Sequence, residues 1–256
     1  MAPYTVALVL TLVVSLLATA VSLEEDAEIE SDEFDVKPVS TEKRVYGGKE
    51  ILPPPTSLTV TEEIWFDLRI QDYYGPDEDF TGRVTIGCFG KLTPITCLNF
   101  VSLAKGYKKG RSTMSYKNTK VQTIVRDFMI QMGDVRTKHE SGNSIFGNNF
   151  QDESFAISHN HAGWVGMANF GPDTNGSQFY VLLRSARWLD GRYVIFGKVL
   201  SGMDTIEKIG LEETDKSQNP IRPVTIDDCG VVGLTDPYTL TADQFNTDGD
   251  IAKDKN

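Results

Sequence analysis

Short stretches in which polar and apolar residues roughly alternate recur along this chain, and they limit its fold more than any other feature. Residues 59–70, 83–89, 164–169, 177–183, 192–199 and 224–230 all read this way. Alternation places successive side chains on opposite faces of a strand. In 177–183, Gln178 and Tyr180 therefore share one face, while Phe179 and Val181 share the other. Only two segments carry helix punctuation. Thr93-Pro94 supplies an N-cap residue and a proline at the first helical position. That helix continues through Ile95, Leu98, Val101 and Leu103 and stops at Gly106. A shorter one spans 203–209 and ends at Gly210. Asp190-Gly191 is a hairpin-type turn. Many short strands with two helices predict a mainly β fold, a closed antiparallel β-barrel capped by two α-helices.

The connections are uneven. Residues 71–81 read as a long acidic loop carrying Gly75-Pro76. A basic stretch comes after the first helix: Lys105, Lys108, Lys109, Arg111, Lys117 and Lys120 read as a solvated loop. Residues 234–256 are polar and acidic, and their composition predicts a poorly ordered tail. The run 246–250 has calcium-loop spacing, but Gln244 and Lys255 fill the outer ligand positions, so no calcium site is expected.

The beginning of the chain differs in texture. An apolar run from Val6 to Leu17 leads into Ala18-Thr19-Ala20, a small-residue cleavage pattern. The run is short for a membrane span of about 20 residues. Residues 1–20 are read as an export signal, with no membrane span left after cleavage. The acidic run 24–33 offers little apolar surface to bury, and Pro53-Pro54-Pro55 stiffens the approach to the first strand. Residues 21–57 are thus a linker, 58–232 the folded domain and 233–256 the tail. A dibasic pair, Lys43-Arg44, is a candidate processing point.

The 256 residues carry a formal net charge of −11, which disfavours nucleic acid as a partner. Cys88, Cys97 and Cys229 form no metal-ligand spacing. An oxidising route would permit one disulfide, but each reads individually as a buried hydrophobic cysteine. His159 and His161 lie on one side of an extended segment, with His139 upstream. No further acid or cysteine completes a zinc set, and no metal or cofactor is expected. Asn175-Gly176-Ser177 fits a glycosylation acceptor but is expected to stay unmodified.

Several blocks carry a family resemblance. They are 127–134 (Asp-Phe-Met-Ile-Gln-Met-Gly-Asp), 166–169 (Gly-Met-Ala-Asn), 171–180 (Gly-Pro-Asp-Thr-Asn-Gly-Ser-Gln-Phe-Tyr) and 188–192 (Trp-Leu-Asp-Gly-Arg). With 144–147 and 194–199, they resemble the signature blocks of cyclophilins, in family order and near family spacing, over about two-thirds of the chain. The resemblance implies an eight-stranded barrel and peptidyl-prolyl cis-trans isomerase activity. Rotation about an X-Pro bond is opposed by a barrier of about 18–20 kcal/mol, and lowering it needs neither nucleophile nor cofactor. It needs an apolar seat for the proline ring, a grip on the flanking backbone and a preference for the twisted amide. By resemblance, Phe128, Met129, Tyr180 and Leu189 line the proline pocket. Ala168 and Asn169 pair with the substrate backbone. Gln131 and Gln178 stand beside the pocket, and Trp188 matches the tryptophan associated with cyclosporin binding.

Two departures qualify that expectation. The family's catalytic arginine lies five residues before the phenylalanine of Phe-Met-x-Gln, which here is Thr123. The family's pocket histidine is here Tyr193. Arg126 lies at an odd offset from Thr123, so an extended segment points it to the other face. Loss of a donor aimed at transition-state charge costs roughly 10²–10³ in rate. The expectation is therefore a secreted, weakly active isomerase acting on proline-containing peptides or client proteins. The alternatives are a non-catalytic chaperone or an extracellular matrix module. An endoplasmic-reticulum residence is disfavoured by the ending Lys253-Asp254-Lys255-Asn256.

Overall fold

In the computed structural model, which describes residues 44–46, 49–51, 55–135 and 143–251, the alternation becomes a barrel. Its strands are β4 (Glu62–Gly75), β5 (Glu78–Cys88), β8 (Val121–Val125), β9 (Met129–Met132), β10 (Trp164–Met167), β11 (Phe179–Leu182), β12 (Ile195–Ser201) and β13 (Val224–Val232). They form one antiparallel sheet in the order β13-β4-β5-β12-β10-β11-β9-β8. The ends of that sheet meet where Lys120 bridges Thr225 and the amide of Asn118 donates to the carbonyl of Ile226. Closure removes the unpaired edges that an open sheet would expose.

The sheet has two apolar faces. Along β4, Ile64, Phe66, Leu68 and Ile70 are essentially unexposed and point inward, joined by Val84 and Ile86 of β5. Helix α1 (Pro94–Lys105) closes the interior with Phe100, whose ring lies 4.8–5.6 Å from those of Phe66, Tyr116, Phe179 and Phe196. Helix α2 (Met203–Gly210) adds Ile206 and Ile209. A second cluster lies on the outer face: Trp164, Tyr180, Leu182 and Ile195, with Phe89 and Leu200. No described helix is long and apolar enough to cross a membrane.

The two helices lie where the punctuation put them, but Thr93 does not cap α1. Its hydroxyl donates to the carbonyl of Phe89. Glu153 caps instead, accepting from the amides of Ile95 (2.9 Å) and Thr96 (2.6 Å) and from the Thr96 hydroxyl (2.6 Å). A carboxylate does this better than a hydroxyl, because it also complements the positive end of the helix dipole. Residues 71–81 are a hairpin tip and not a long loop, since β4 and β5 pair as far as Gly75 and Glu78. Asp79 holds that tip, accepting from the Asp72 amide and pairing with Arg69 at 3.0 Å. The basic stretch contains a hairpin of its own, β6 (Tyr107–Lys109) with β7 (Ser112–Met114). The individual reading of the cysteines also gives way: Cys88 and Cys97 form a disulfide across 5.9 Å between their Cα atoms, and Cys229 stays free. The disulfide pins the end of β5 to the first turns of α1.

The tail is folded through residue 251. Strand β14 (Tyr238–Thr241) pairs with β3 (Ser57–Val60), and the single-turn helix α3 (Ala242–Phe245) comes next. Leu240, Phe245 and Ile251 are buried in the outer cluster. Polar anchors add to this. Tyr238 donates to Glu63 at 2.6 Å, Asp248 accepts from the Ala162 amide and Asp250 from the Met203 amide. Three well-placed apolar residues outweigh a polar average composition. At the other end, β1 (Arg44–Tyr46) pairs with β2 (Lys49–Ile51), so part of the expected linker is a hairpin. The export signal, the acidic run, Lys43, His139 and residues 252–256 lie outside the described residues.

Candidate functional site

Register brings the candidate residues together. In one row across four strands, Thr123 of β8 pairs with Gln131 of β9, Gln131 with Tyr180 of β11, and Tyr180 with Gly166 of β10. Directly opposed residues share a face, so all four stand on the outer side of the sheet. Gln178 precedes β11, and its backbone carbonyl accepts from the Ala168 amide at 3.0 Å. Its side chain turns toward β9, where Gln131 Nε2 donates to Gln178 Oε1 at 2.7 Å. Two carboxamides thus form one polar unit beside the ring of Tyr180.

The apolar walls come from two turns. Asp127 has a φ of +59°, an αL position that a short polar residue tolerates, and it turns the chain into Phe128. Phe128 and Met129 are half-buried, and the Phe128 carbonyl accepts from the Leu183 amide. Across from them a 3₁₀ turn, Arg187–Leu189, presents Trp188 and Leu189. The Trp188 ring is 56% exposed and rests on Phe128 with centroids 5.5 Å apart. Gly191, at φ +77°, lets the chain fold back so that Tyr193 meets the Tyr180 ring edge-on at 6.1 Å. The Asn169 side chain donates to the Arg192 carbonyl at 3.0 Å, tying the segment after β10 to this same turn. Thr123, Phe128, Met129, Gln131, Ala168, Asn169, Gln178, Tyr180, Trp188, Leu189 and Tyr193 thus belong to neighbouring strands and turns. The arrangement offers an apolar seat and a carboxamide pair.

The Thr123–Gln131–Tyr180 row itself carries no charge. Thr123 is only 5% exposed. Arg126 is exposed and donates to the Leu211 carbonyl at 3.0 Å, on the far side of β8. Gln122 also faces away, into a groove of about 710 Å³ lined by Thr113, Lys117, Lys120 and Asn219.

The sequence reading missed His159. It is fully buried, with Nδ1 2.7 Å from Asp190 Oδ1 and Nε2 2.7 Å from the Tyr180 hydroxyl. Its partners lie 31 and 21 residues away in the chain, beyond the reach of a ligand-spacing pattern. The available signal was Tyr180 itself, because a buried phenol requires a hydrogen-bond partner. His161 is used separately, at 3.2 Å from Asp248. Asn175 and Ser177 of the glycosylation pattern are both fully buried, and the Asn175 carboxamide donates to Asp152.

Comparison with known proteins agrees with this fold. The family described as "Cyclophilin type peptidyl-prolyl cis-trans isomerase/CLD" matches residues 76–231. The chain is 39% identical over 191 residues to the peptidyl-prolyl cis-trans isomerase, rhodopsin-specific isozyme, of Calliphora vicina, covering 74% of this chain and 77% of that protein. It is 39% identical over 177 residues to peptidyl-prolyl cis-trans isomerase CYP21-1 of Arabidopsis thaliana, covering 68% and 76%. It is 38% identical over 174 residues to peptidyl-prolyl cis-trans isomerase D of Saccharomyces cerevisiae, covering 67% and 72%. The chain belongs to the cyclophilin-type peptidyl-prolyl cis-trans isomerases.

Proposed function

We propose that this cyclophilin is an exported protein that grips X-Pro segments of client proteins well and isomerises them slowly. The observation that carries the reading is the row Thr123–Gln131–Tyr180. Its first member stands where the family arginine is expected, is buried, and brings no cation. Arg126, the nearest guanidinium in the sequence, is engaged at Leu211 on the other face. The arginine's role is to donate to the prolyl nitrogen as its lone pair localises, and a threonine hydroxyl is too short to take it over. One missing preorganised donor lowers the rate by roughly 10²–10³. Proline binding suffers less, because Phe128, Met129, Trp188, Leu189 and Tyr180 still supply the apolar burial. Cyclosporin is a candidate ligand on the same grounds, through exposed Trp188.

Export is supported by the apolar run and small-residue pattern of residues 1–20, and by the Cys88–Cys97 disulfide, a bond typical of oxidising compartments. Thr123 equally favours a second reading, a proline-peptide chaperone or extracellular interaction module with no useful turnover.

The deciding experiment is a protease-coupled isomerisation assay on the full chain beside a Thr123→Arg variant, with peptide binding measured by calorimetry. The expected result is measurable binding, a native rate roughly 10²–10³ below an ordinary cyclophilin, and partial recovery in the variant. A native rate equal to that of an ordinary cyclophilin would overturn the slow-turnover reading. Binding with no turnover in either protein would favour the chaperone.

A further inference from the structure

The Tyr180 hydroxyl sits in a place built for it from two sides. On one side is Gly166, its cross-strand partner, where a Cβ atom would fall within 2.3 Å of the hydroxyl oxygen. Only a residue without a side chain leaves room for the phenol. On the other side is His159, whose ring is nearly parallel to that of Tyr180 at 22°, with centroids 6.1 Å apart.

The hydrogen bonds here have one consistent direction. Asp190 Oδ1 lies 2.7 Å from His159 Nδ1 and also accepts from the His159 amide at 2.8 Å, while Oδ2 accepts from the Ser158 hydroxyl at 2.6 Å. A carboxylate at Nδ1 keeps the proton of a neutral imidazole on that nitrogen. Nε2 is then an acceptor, and the Tyr180 hydroxyl donates to it. Burial pulls the His159 pKa below its ordinary value against the opposing pull of Asp190, so the ring is neutral at pH 7. Burial raises the Tyr180 pKa well above that of a free phenol, so it keeps its proton. Burial by itself would raise the Asp190 carboxyl, but its bonds to His159 and Ser158 outweigh that and hold it ionised.

The chain of hydrogen bonds ends in the turn that carries the pocket wall. Asp190 directly follows Trp188 and Leu189 and precedes Tyr193 by three residues. The His159 carbonyl holds the start of the same turn, accepting from the Ala186 amide at 2.7 Å and the Ser185 hydroxyl at 3.3 Å. One buried residue therefore touches the pocket floor and both sides of the wall-bearing turn.

We propose that His159 is a positioning residue of the proline pocket, acting through Tyr180 to hold its floor and through Asp190 to hold the Trp188–Leu189 wall. The inference rests on the reading of these walls as the proline site. It makes the pocket sensitive to acid. Protonation turns Nε2 into a donor and takes away the acceptor of the Tyr180 hydroxyl. The titratable groups bonded to His159 are Asp190 and Tyr180, and Tyr193 packs edge-on against the Tyr180 ring. Asp190 is held below the ordinary carboxylate value by its bonds to His159 and Ser158.

The test uses the full chain and its Tyr180→Phe variant, with the tetrapeptide Ala-Ala-Pro-Phe as probe, at about pH 8 and at the lowest pH at which circular dichroism shows the fold intact, because burial holds His159 below its ordinary value. Peptide affinity is measured by calorimetry, and the Trp188 indole resonance by NMR reports the wall without substrate. In the native protein, acid should weaken binding by roughly tenfold, the worth of about one buried hydrogen bond, and shift the Trp188 resonance. Tyr180→Phe should bind roughly tenfold more weakly at the higher pH and show no further acid response, because its floor no longer depends on the imidazole. His159→Leu should match it if it folds. A variant that keeps native affinity, native Trp188 shift and native acid response would overturn the proposal. If the Trp188 resonance responds to acid only in the native protein and neither chain binds the peptide, the positioning chain stands and the proline-site reading falls.

Discussion

Phe245→Ala is the sharpest test of how the barrel is held together. Phe245 is the last residue of α3, only 4% exposed, with its ring 5.9 Å from that of Trp164 on the outer face of β10. Truncating a buried phenylalanine costs about 3–5 kcal/mol, partly for lost transfer energy and partly for the cavity left behind. The loss cannot exceed the free energy with which the tail docks, since beyond that point the tail would simply detach. That ceiling is high. Leu240 and Ile251 are buried in the same cluster, Tyr238 is bonded to Glu63, and the Thr247 carbonyl accepts from Lys198 at 2.6 Å. The full effect should therefore be seen, against a total stability of about 5–15 kcal/mol. Urea unfolding monitored by tryptophan fluorescence measures it. With a slope of about 2–3 kcal/mol per molar, the midpoint should fall by on the order of 1–2 M with the slope unchanged. Asp243→Ala, an exposed change on the same turn, should leave the midpoint where it is. A Phe245→Ala midpoint within about 0.3 M of native would show that the tail does not contribute to the core.

Three further outcomes are expected. Burial pulls Lys198 from 10.5 to about 7; its folded pKa lies below the unfolded one, so the unfolded chain binds more protons between those values. Stability should then rise with pH from about 7 upward and flatten in Lys198→Met, whereas a native stability that falls over that range in urea titrations would contradict the reasoning. Glu153→Ala removes the cap of α1 and should cost about 1–2 kcal/mol in the same unfolding assay, with an unchanged midpoint counting against the capping role. Cys97→Ser opens a loop of 9 residues' separation and should cost about 2.5 kcal/mol on a loop-entropy estimate; thiol labelling of the unfolded native chain should modify one cysteine, and modification of all three would exclude the disulfide.

What the sequence made legible was what local chemistry determines. Thr93-Pro94 and Gly106 bound α1, because proline at the first turn and glycine after the last are local devices. The split between Tyr180 and Phe179 was readable from a period of two, and the structure puts them in the outer and inner clusters respectively. What escaped was set by partners distant in the chain. Residues 71–81 look like loop because most of their side chains are polar, yet the β4–β5 ladder resumes at Gly75–Glu78 after a register shift, and its hydrogen bonds do not depend on side-chain polarity. Glu153 caps a helix 57 residues away. His159 finds Asp190 across 31 residues. The tail failed for another reason: average composition hides three apolar residues placed where the outer face of the barrel has room for them.

The residues at the site can be read as one coupled set. Tyrosine at 180 adds a hydroxyl to the pocket floor, and in an apolar pocket an unpaired hydroxyl would compete with the proline ring for its seat. Here the hydroxyl faces away from that role, because Gly166 opens a place for it and His159 Nε2 accepts a hydrogen bond from it. If Tyr180 is the floor of the proline pocket, as proposed, that floor offers a substrate an aromatic ring and not a polar group. Tyr193 then packs against the edge of that ring, so the two phenols narrow the seat together while only one of them is tied down by the histidine. Thr123 completes the change: it fills the first position of the row without a charge, leaving the Gln131–Gln178 pair as the polar group beside the pocket. On the proposed reading, a ring seat and a carboxamide pair without a cation at position 123 would hold an X-Pro bond better than turn it.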